Sequence, residues 1–369
     1  MKDNGRLNGT RTDAGAAGAG ISTGAGSGLL NVGVVGCGYW GPNLVRNLAE
    51  NRLCRRLSLC DLDAGKVERL LLRYPGATPF DRYDDMLAQP DLSAVMIATP
   101  LSTHFDLAKR ALLEGKHVFV EKPFTASSEQ AIELISLAEE RSLSLAVGHT
   151  FLFSPPVTKI KEILDSGELG KIFYVSSTRV NLGLHQKDVS VIWDLAPHDL
   201  SMIIHWLGEA PVEVFANGQD FVQKGIPDVA FLFLRFASGA IAHAQVSWLS
   251  PSKLRRTTIV GDAKMLVYDD TEHLEQVKIF DKGVNFRDPD TFGEYQLSYR
   301  TGDIVSPKLE SFEPLQSEVN DFLTSILQKR RPRCDGEDGL RVVRVLEAAE
   351  RSLQNRGRVE VIEDVRSWI

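Results

Sequence analysis

The sequence is short of cysteine, of long apolar runs and of charge of one sign, and each shortage excludes a class of protein. Four cysteines in 369 residues, Cys37, Cys54, Cys60 and Cys334, show neither CxxC spacing nor the density of a disulfide framework. They read as small buried hydrophobes in a reducing compartment rather than as a zinc site. No stretch reaches about eighteen uncharged apolar residues, the length a membrane helix needs. "VIWDLAPHDLSMIIHWL" comes nearest and carries two aspartates and two histidines. The net charge of -7 is spread without long single-sign runs, which argues against a nucleic-acid footprint or a polybasic membrane patch. The expected partner is a small molecule and the expected location the cytoplasm.

Residues 1–28 lack anything large to bury. They are mostly Gly, Ala, Ser and Thr, so ordering them costs backbone entropy with no core contact in return, and a disordered tail is expected. The tail has no basic start followed by a dense apolar run, so no secretory signal is expected. The whole chain is 43% hydrophobic and 25% charged, a globular composition with length for two domains. Their expected extents are 29–148 and 149–369.

What is present between 30 and 148 is alternation. The apolar runs "LNVGVV", "RRLSLCD", "SAVMIA", "HVFVE" and "SLSLAV" are separated by helical patterns at 40–50, 63–73, 103–114 and 127–141. Strands buried on both faces read as continuous apolar runs, and parallel pairing needs crossover helices; the pattern predicts an α/β fold with a doubly wound parallel sheet. After about 150 the rhythm changes. A helix near 156–165, the strand "KIFYVSSTRV" and a helical stretch near 190–207 precede strand-like segments at 211–217, 227–236, 239–248, 256–260 and 264–268. "FLFLRFASGAIAHAQVSW" reads as a hairpin, and helices near 313–329 and 337–354 follow. This predicts an antiparallel sheet with helices on one face. Its other face, rich in Phe, Leu and Val, is free to pair with another subunit.

Gly36, Gly38 and Gly41 form G-x-G-x-x-G between the first strand and a helix, and Asp61 closes the second strand. In that context the glycines suit a dinucleotide pyrophosphate at the helix N-terminus, and Asp61 suits the adenosine ribose hydroxyls. Gly36, Gly38, Tyr39, Trp40, Gly41 and Asp61 are the candidate contacts of the turn. No basic residue immediately follows Asp61, so NAD(H) is favoured over NADP(H).

Ligands of an open α/β sheet sit beyond the carboxyl ends of its strands. "IATPLSTH" puts Thr99, Pro100 and His104 there, and "VEKPF" puts Glu121 and Lys122 there. His104 reads first as a residue that orders its loop or opens the helix. Lys122 suits a substrate hydroxyl or the nicotinamide ribose, or else is a surface lysine paired with Glu121. In "VIWDLAPHDL", Asp194 and His198 are four apart and share a helix face. A histidine takes a proton from an alcohol near neutral pH, and a carboxylate orients it. Pro197 removes one helical hydrogen bond just before His198. A hydrogen-bonded core pair is the alternative, and Asp199 and His205 read as structural or solvent-facing.

The glycine turn, "TPLSTH", "EKP" and D-x-x-x-H in this order resemble the glucose-fructose oxidoreductase, inositol dehydrogenase and MocA family (Gfo/Idh/MocA), from about residue 30 to about 355. The resemblance implies an amino-terminal Rossmann domain, a carboxyl-terminal α/β domain with an open antiparallel sheet, NAD(P), and dimers or tetramers built through that sheet. It implies that Lys122, Asp194 and His198 are catalytic. "GHTFLFSP", "STRVNLGLHQKDVSVIWDLAPHDLS" and "RPRCDGEDGLRVVRVLEAAERSL" look most like members acting on carbon 3 of a nucleotide-linked hexose, such as UDP-N-acetylglucosamine 3-dehydrogenases. Leu152 stands where many members have an arginine, which leaves that arginine's substrate contact in doubt.

The expected reaction is a reversible hydride transfer between a sugar carbinol carbon and nicotinamide. His198 takes the hydroxyl proton, Asp194 holds the imidazole and Lys122 hydrogen-bonds the oxygen. Arg179, Asn181, His185 and Lys187 are candidate holders of substrate hydroxyls or phosphates, and His149 lies at the domain junction. The alternatives are a dehydrogenase of a free cyclitol or simple sugar and a non-catalytic NAD-binding regulator. No metal is expected.

Overall fold

The computed structural model describes residues 28–183, 185–186, 189–287 and 296–362. Of the features read above, the glycine-rich segment up to residue 27 and Lys187 lie outside the described residues.

The first half alternates strand and helix: β1 (Leu30–Val35), α1 (Gly41–Glu50), β2 (Cys54–Cys60), α2 (Ala64–Arg73), β3 (Thr78–Phe80), α3 (Tyr83–Leu87), β4 (Ala94–Ile97), α4 (Leu101–Leu113), β5 (His117–Glu121), α5 (Ser128–Glu140) and β6 (Leu145–Gly148). All strand pairs are parallel, in the order β3-β2-β1-β4-β5-β6. Every residue of β1 and β4 is buried, as expected of strands covered on both faces. The order reverses between β1 and β4, and the crevice at such a switch point is where an open α/β sheet binds its ligand. The short β3 and α3 have no strong apolar pattern and escape a reading from periodicity.

A 3₁₀ turn (Thr150–Phe153) leads to α6 (Pro155–Asp165), β7 (Ile172–Val180), α7 (Val191–Leu207), β8 (Glu213–Gln219), β9 (Val229–Arg235), β10 (Ile241–Ser247), β11 (Leu254–Gly261), β12 (Met265–Asp269), β13 (Val277–Arg287) and β14 (Gln296–Val305). After α8 (Pro314–Gln328) and α9 (Gly336–Gln354), β15 (Glu360–Val361) completes a nine-stranded sheet ordered β14-β13-β12-β11-β7-β10-β9-β8-β15. The sheet is mixed rather than purely antiparallel, because β7 and β10 run parallel. The crossover through α7 and the β8–β9 pair supplies the long connection that a parallel pairing requires. The expected hairpin is present as β9–β10. Ala230, Leu232 and Leu234 of β9 point to the helices while Phe231 and Phe233 face outward.

The last helices return to the first sheet. Phe322 of α8 packs on Phe119 of β5 with ring centroids 5.7 Å apart, and Arg46 of α1 pairs with Glu313 just before α8. The Val147 N–H donates to the Cys334 carbonyl at 3.2 Å, seating the start of α9 beside β6.

Candidate active site

The glycine turn is built as a dinucleotide cradle. Gly36 has φ +91°, and a Cβ there would stand 2.4 Å from the Ala98 carbonyl oxygen. A Cβ on Gly41 would stand 2.0 Å from the Gly36 carbonyl oxygen, whereas one on Gly38 would meet nothing within 4 Å. The outer glycines therefore close the turn and the middle one leaves space for a ligand's approach. The first turn of α1 has no acidic residue and no side-chain cap, so its positive end remains available to an anion.

Asp61 is fixed beside this turn, accepting from the N–H groups of Cys37 at 2.7 Å and Asp63 at 2.9 Å. Burial opposes its ionisation, but the two N–H donors and Lys66 outweigh that and hold the carboxyl below its usual range. These features fit a dinucleotide whose ribose hydroxyls donate to Asp61. The pocket next to Asp61 is lined by Lys66, Arg69 and Arg73 of α2, together with Gly38 and Tyr39. The cations absent immediately after Asp61 thus arrive one to three helical turns later, on one face of α2.

At the ends of β4 and β5 the two loops are tied together. The ring nitrogens of His104 face the carbonyl oxygens of Thr99 and Pro123, each at 2.8 Å, so His104 braces these loops and is not free to contact a cofactor. This corrects its place among the candidate contacts and agrees with the loop-ordering alternative. Thr99 shares its hydroxyl with Thr103 at 2.7 Å. Tyr39 is exposed and Trp40 half-buried.

Lys122, from the parallel sheet, reaches α7: its Nζ donates to the Asp194 carbonyl oxygen at 2.9 Å and to Oδ1 at 3.4 Å. Trp248 Nε1 donates to Asp194 Oδ2 at 3.0 Å. Contrary to the expectation that Asp194 holds the His198 imidazole, its carboxylate is occupied by Lys122 and Trp248. The His198 ring packs edge-on against Phe151, centroids 5.0 Å apart, and its buried Nδ1 has no partner among the described residues. Burial, followed by the charges of Lys122 and Arg179, holds this imidazole well below its ordinary range and keeps it neutral. Pro197 is accommodated inside α7, which runs unbroken from Val191 to Leu207.

Of the candidate substrate residues, Arg179 is the clearest departure. Its guanidinium is buried, with Nε donating to Asp199 Oδ2 at 2.6 Å and Nη2 to Oδ1 at 3.4 Å, and Ser177 donates to the same carboxylate at 2.6 Å. It is committed to a buried ion pair beneath Phe151 and is not free as a substrate cation. Arg255 of β11, missed from the sequence, brings a half-exposed cation 6.0 Å from the same ring and pairs with Asp270 at 3.0 Å. His185 packs on Trp248 with centroids 5.2 Å apart, and Asn181 is half-buried at the end of β7. His149 is fully enclosed where β6 ends; neither ring nitrogen has a partner among the described residues, and burial with the nearby Lys122 pushes its pKa down to about 3. No metal-ligating cluster occurs among the described residues.

A helix N-terminus open to an anion, an aspartate fixed beside it, and an ammonium, a carboxylate and an imidazole gathered at α7 are the groups a nicotinamide-dependent oxidoreductase needs. Residues 30–149 match the Gfo/Idh/MocA oxidoreductase family, NAD-binding Rossmann fold, and residues 157–267 match the family's C-terminal domain. The chain belongs to the Gfo/Idh/MocA family and is an NAD(P)-dependent dehydrogenase. It is 28% identical to a UDP-N-acetylglucosamine 3-dehydrogenase of Acidithiobacillus ferrooxidans over 85% of this chain and 94% of that one. The solved structure of that enzyme, GnnA, superimposes with a TM-score of 0.74, covering 89% of this chain and 98% of the other. An inositol 2-dehydrogenase of Rhizobium meliloti is 23% identical over 90% of this chain and 99% of its own. GenD2 from gentamicin A biosynthesis, solved in complex with NAD, shares the fold at 24% identity and a TM-score of 0.77 over 92% of this chain and 98% of its own.

Proposed function

We propose that this dehydrogenase transfers a hydride between nicotinamide and a secondary alcohol or ketone of a sugar, with carbon 3 of a nucleotide-linked hexose as the substrate position. The observation that carries the reading is the Lys122–Asp194 contact, which joins the two sheets beside His198. Bound with its pyrophosphate at the glycine turn, nicotinamide supplies the hydride chemistry. In the oxidative direction the neutral His198 takes the hydroxyl proton. Lys122 donates to the oxygen as it becomes a carbonyl, and Asp194, held by Trp248, keeps the ammonium in place. Arg255 and His185 are the groups best disposed to meet a substrate's anionic end.

The relatives support both a nucleotide sugar and a cyclitol, and the withdrawal of Arg179 into its ion pair, which removes one expected cation, favours the cyclitol as the second reading. Following nicotinamide absorbance with NAD and UDP-N-acetylglucosamine, other nucleotide sugars and inositols separates the two. Turnover confined to nucleotide sugars supports the first reading, and turnover confined to free polyols replaces it with the second. The outward face of the nine-stranded sheet, carrying Tyr174, Phe233 and Ile241, is proposed as the subunit contact of a homodimer or homotetramer.

A further inference from the structure

With Asp194 taken up by Lys122 and Trp248, the buried Nδ1 of His198 has no polar partner among the described residues. What the imidazole does touch is another ring. His198 meets Phe151 with centroids 5.0 Å apart and planes at 64°, inside the roughly 4.5–7 Å range in which tilted aromatic pairs attract. Phe151 lies in the 3₁₀ turn after β6. Its neighbours Leu152 and Phe153 enter the core at 5% and 4% exposure, while Phe151 stays half-buried against α7. Beneath it are two cations. Arg179 of β7 and Arg255 of β11 occupy facing positions of the sheet, with guanidinium carbons 4.7 and 6.0 Å from the Phe151 centroid. Like charges on facing positions repel, and each guanidinium here has its own carboxylate, Asp199 for Arg179 at 2.6 Å and Asp270 for Arg255 at 3.0 Å. The negative face of an aromatic ring attracts a cation within about 6 Å, more strongly where water is excluded, and Arg179 is buried.

We propose that Phe151, clamped by the Arg179–Asp199 ion pair, is the positioning residue that sets the orientation of the His198 imidazole. The contacts close on themselves. Asp199 follows His198 on α7, accepts from Arg179 Nε and the Ser177 hydroxyl, and so ties the helix to β7. Arg179 lies against Phe151, and Phe151 returns to His198. This circuit limits the directions the imidazole can face, as a carboxylate partner would. The difference is electrical, because a carboxylate would favour the imidazolium whereas an aromatic ring adds no net charge. Burial first, and then the charges of Lys122 and Arg179, keep His198 neutral, the form that accepts a hydroxyl proton. Arg179 thereby has a task that needs no contact with substrate.

This inference rests on the role given to His198 above, and its first readout needs no substrate. The full chain is labelled with carbon-13 at histidine Cε1, and the His198 signal is identified by its loss in His198→Asn. F151L keeps an apolar side chain and removes the ring, whereas F151Y keeps the ring. In F151L the His198 signal should shift and broaden, through loss of the ring current and of a single orientation. Signals of histidines remote from the site, His117 and His243, should stay in place, and F151Y should leave His198 near its wild-type position. Turnover of whichever sugar the nicotinamide assay identifies should fall about a hundredfold in F151L, the cost of a catalytic group about 1 Å out of place. The NADH dissociation constant should not change, and F151Y should recover the turnover. An unmoved His198 signal in F151L, or wild-type turnover there, would overturn the proposal, as would an F151Y variant that behaves like F151L. Should F151L not fold, the wild-type spectrum decides: a nuclear Overhauser contact between His198 and the Phe151 ring sustains the proposal, and its absence overturns it. If no sugar is turned over, the proposed function fails and the histidine spectra still decide this inference.

Discussion

Arg179 and Asp199 are the most deeply buried ion pair in the site, with side chains 4% and 3% exposed. Breaking such a pair by removing one partner leaves an uncompensated charge, which costs about 3–5 kcal/mol. Arg179→Met should lower the denaturant midpoint accordingly, and Arg179→Lys should not restore it, because a lysine cannot reproduce both guanidinium contacts. His149 makes a separate prediction about pH. Its folded pKa of about 3 lies below the ordinary histidine value, so the unfolded chain binds a proton that the folded one refuses. The contribution is complete above the unfolded value and lost as pH falls from there towards about 3. His149→Phe should flatten the acid limb of a melting-temperature profile, and an unchanged limb would assign the acid sensitivity elsewhere. At the adenosine end, Asp61 stands against the cations of α2. Asp61→Ser should therefore weaken NADH and strengthen NADPH, measured by fluorescence titration of each.

These residue-scale features divide by whether their partners are near in sequence. Gly36, Gly38, Gly41, Asp61, Lys122 and the Asp194–His198 spacing all sit at strand ends or on one helix face, where local pattern places them. Trp248 reaches Asp194 from 54 residues away. No periodicity reports a contact of that kind, so the true partners of Asp194 were hidden. Arg179 misled for the same reason: its chemistry suits an anion, but its position on an inward-facing register of β7 does not.

At the scale of elements, the parallel sheet was legible because its strands are continuous apolar runs between amphipathic helices. The second sheet was legible only in part. β9 and β10 alternate cleanly, whereas β13, "VKIFDKGVNFR", mixes charge and glycine with its apolar residues and gives no period. The parallel β7–β10 pair depends on the route of the chain through α7 rather than on any residue in either strand. The glycine turn yields an element-scale prediction. A Cβ at position 41 would collide with the Gly36 carbonyl oxygen at 2.0 Å, so Gly41→Ala must displace the start of α1. NADH affinity should fall at least tenfold by fluorescence titration while far-ultraviolet circular dichroism stays near native; retained affinity would show that the turn tolerates the shift.

For the whole molecule, one sheet face is covered by helices and the other presents Tyr174, Phe233 and Ile241, the last two at least half exposed. Exposed apolar area of that kind is what the proposed subunit contact would cover. Phe233→Asp should reduce the particle size measured by sedimentation, and an already monomeric wild type would remove the oligomer from the account. The return of α8 and α9 to the first sheet joins both halves around the cleft, so the acid–base group depends on the complete molecule rather than on either sheet alone.

The most direct test of the convergence of Lys122 and His198 on one substrate oxygen is to compare turnover with cofactor affinity in the wild type, Lys122→Ala and His198→Asn. Turnover of a sugar should fall about a hundredfold to ten-thousandfold in each variant, with NADH dissociation constants near wild type. Near-native turnover in either variant would contradict it.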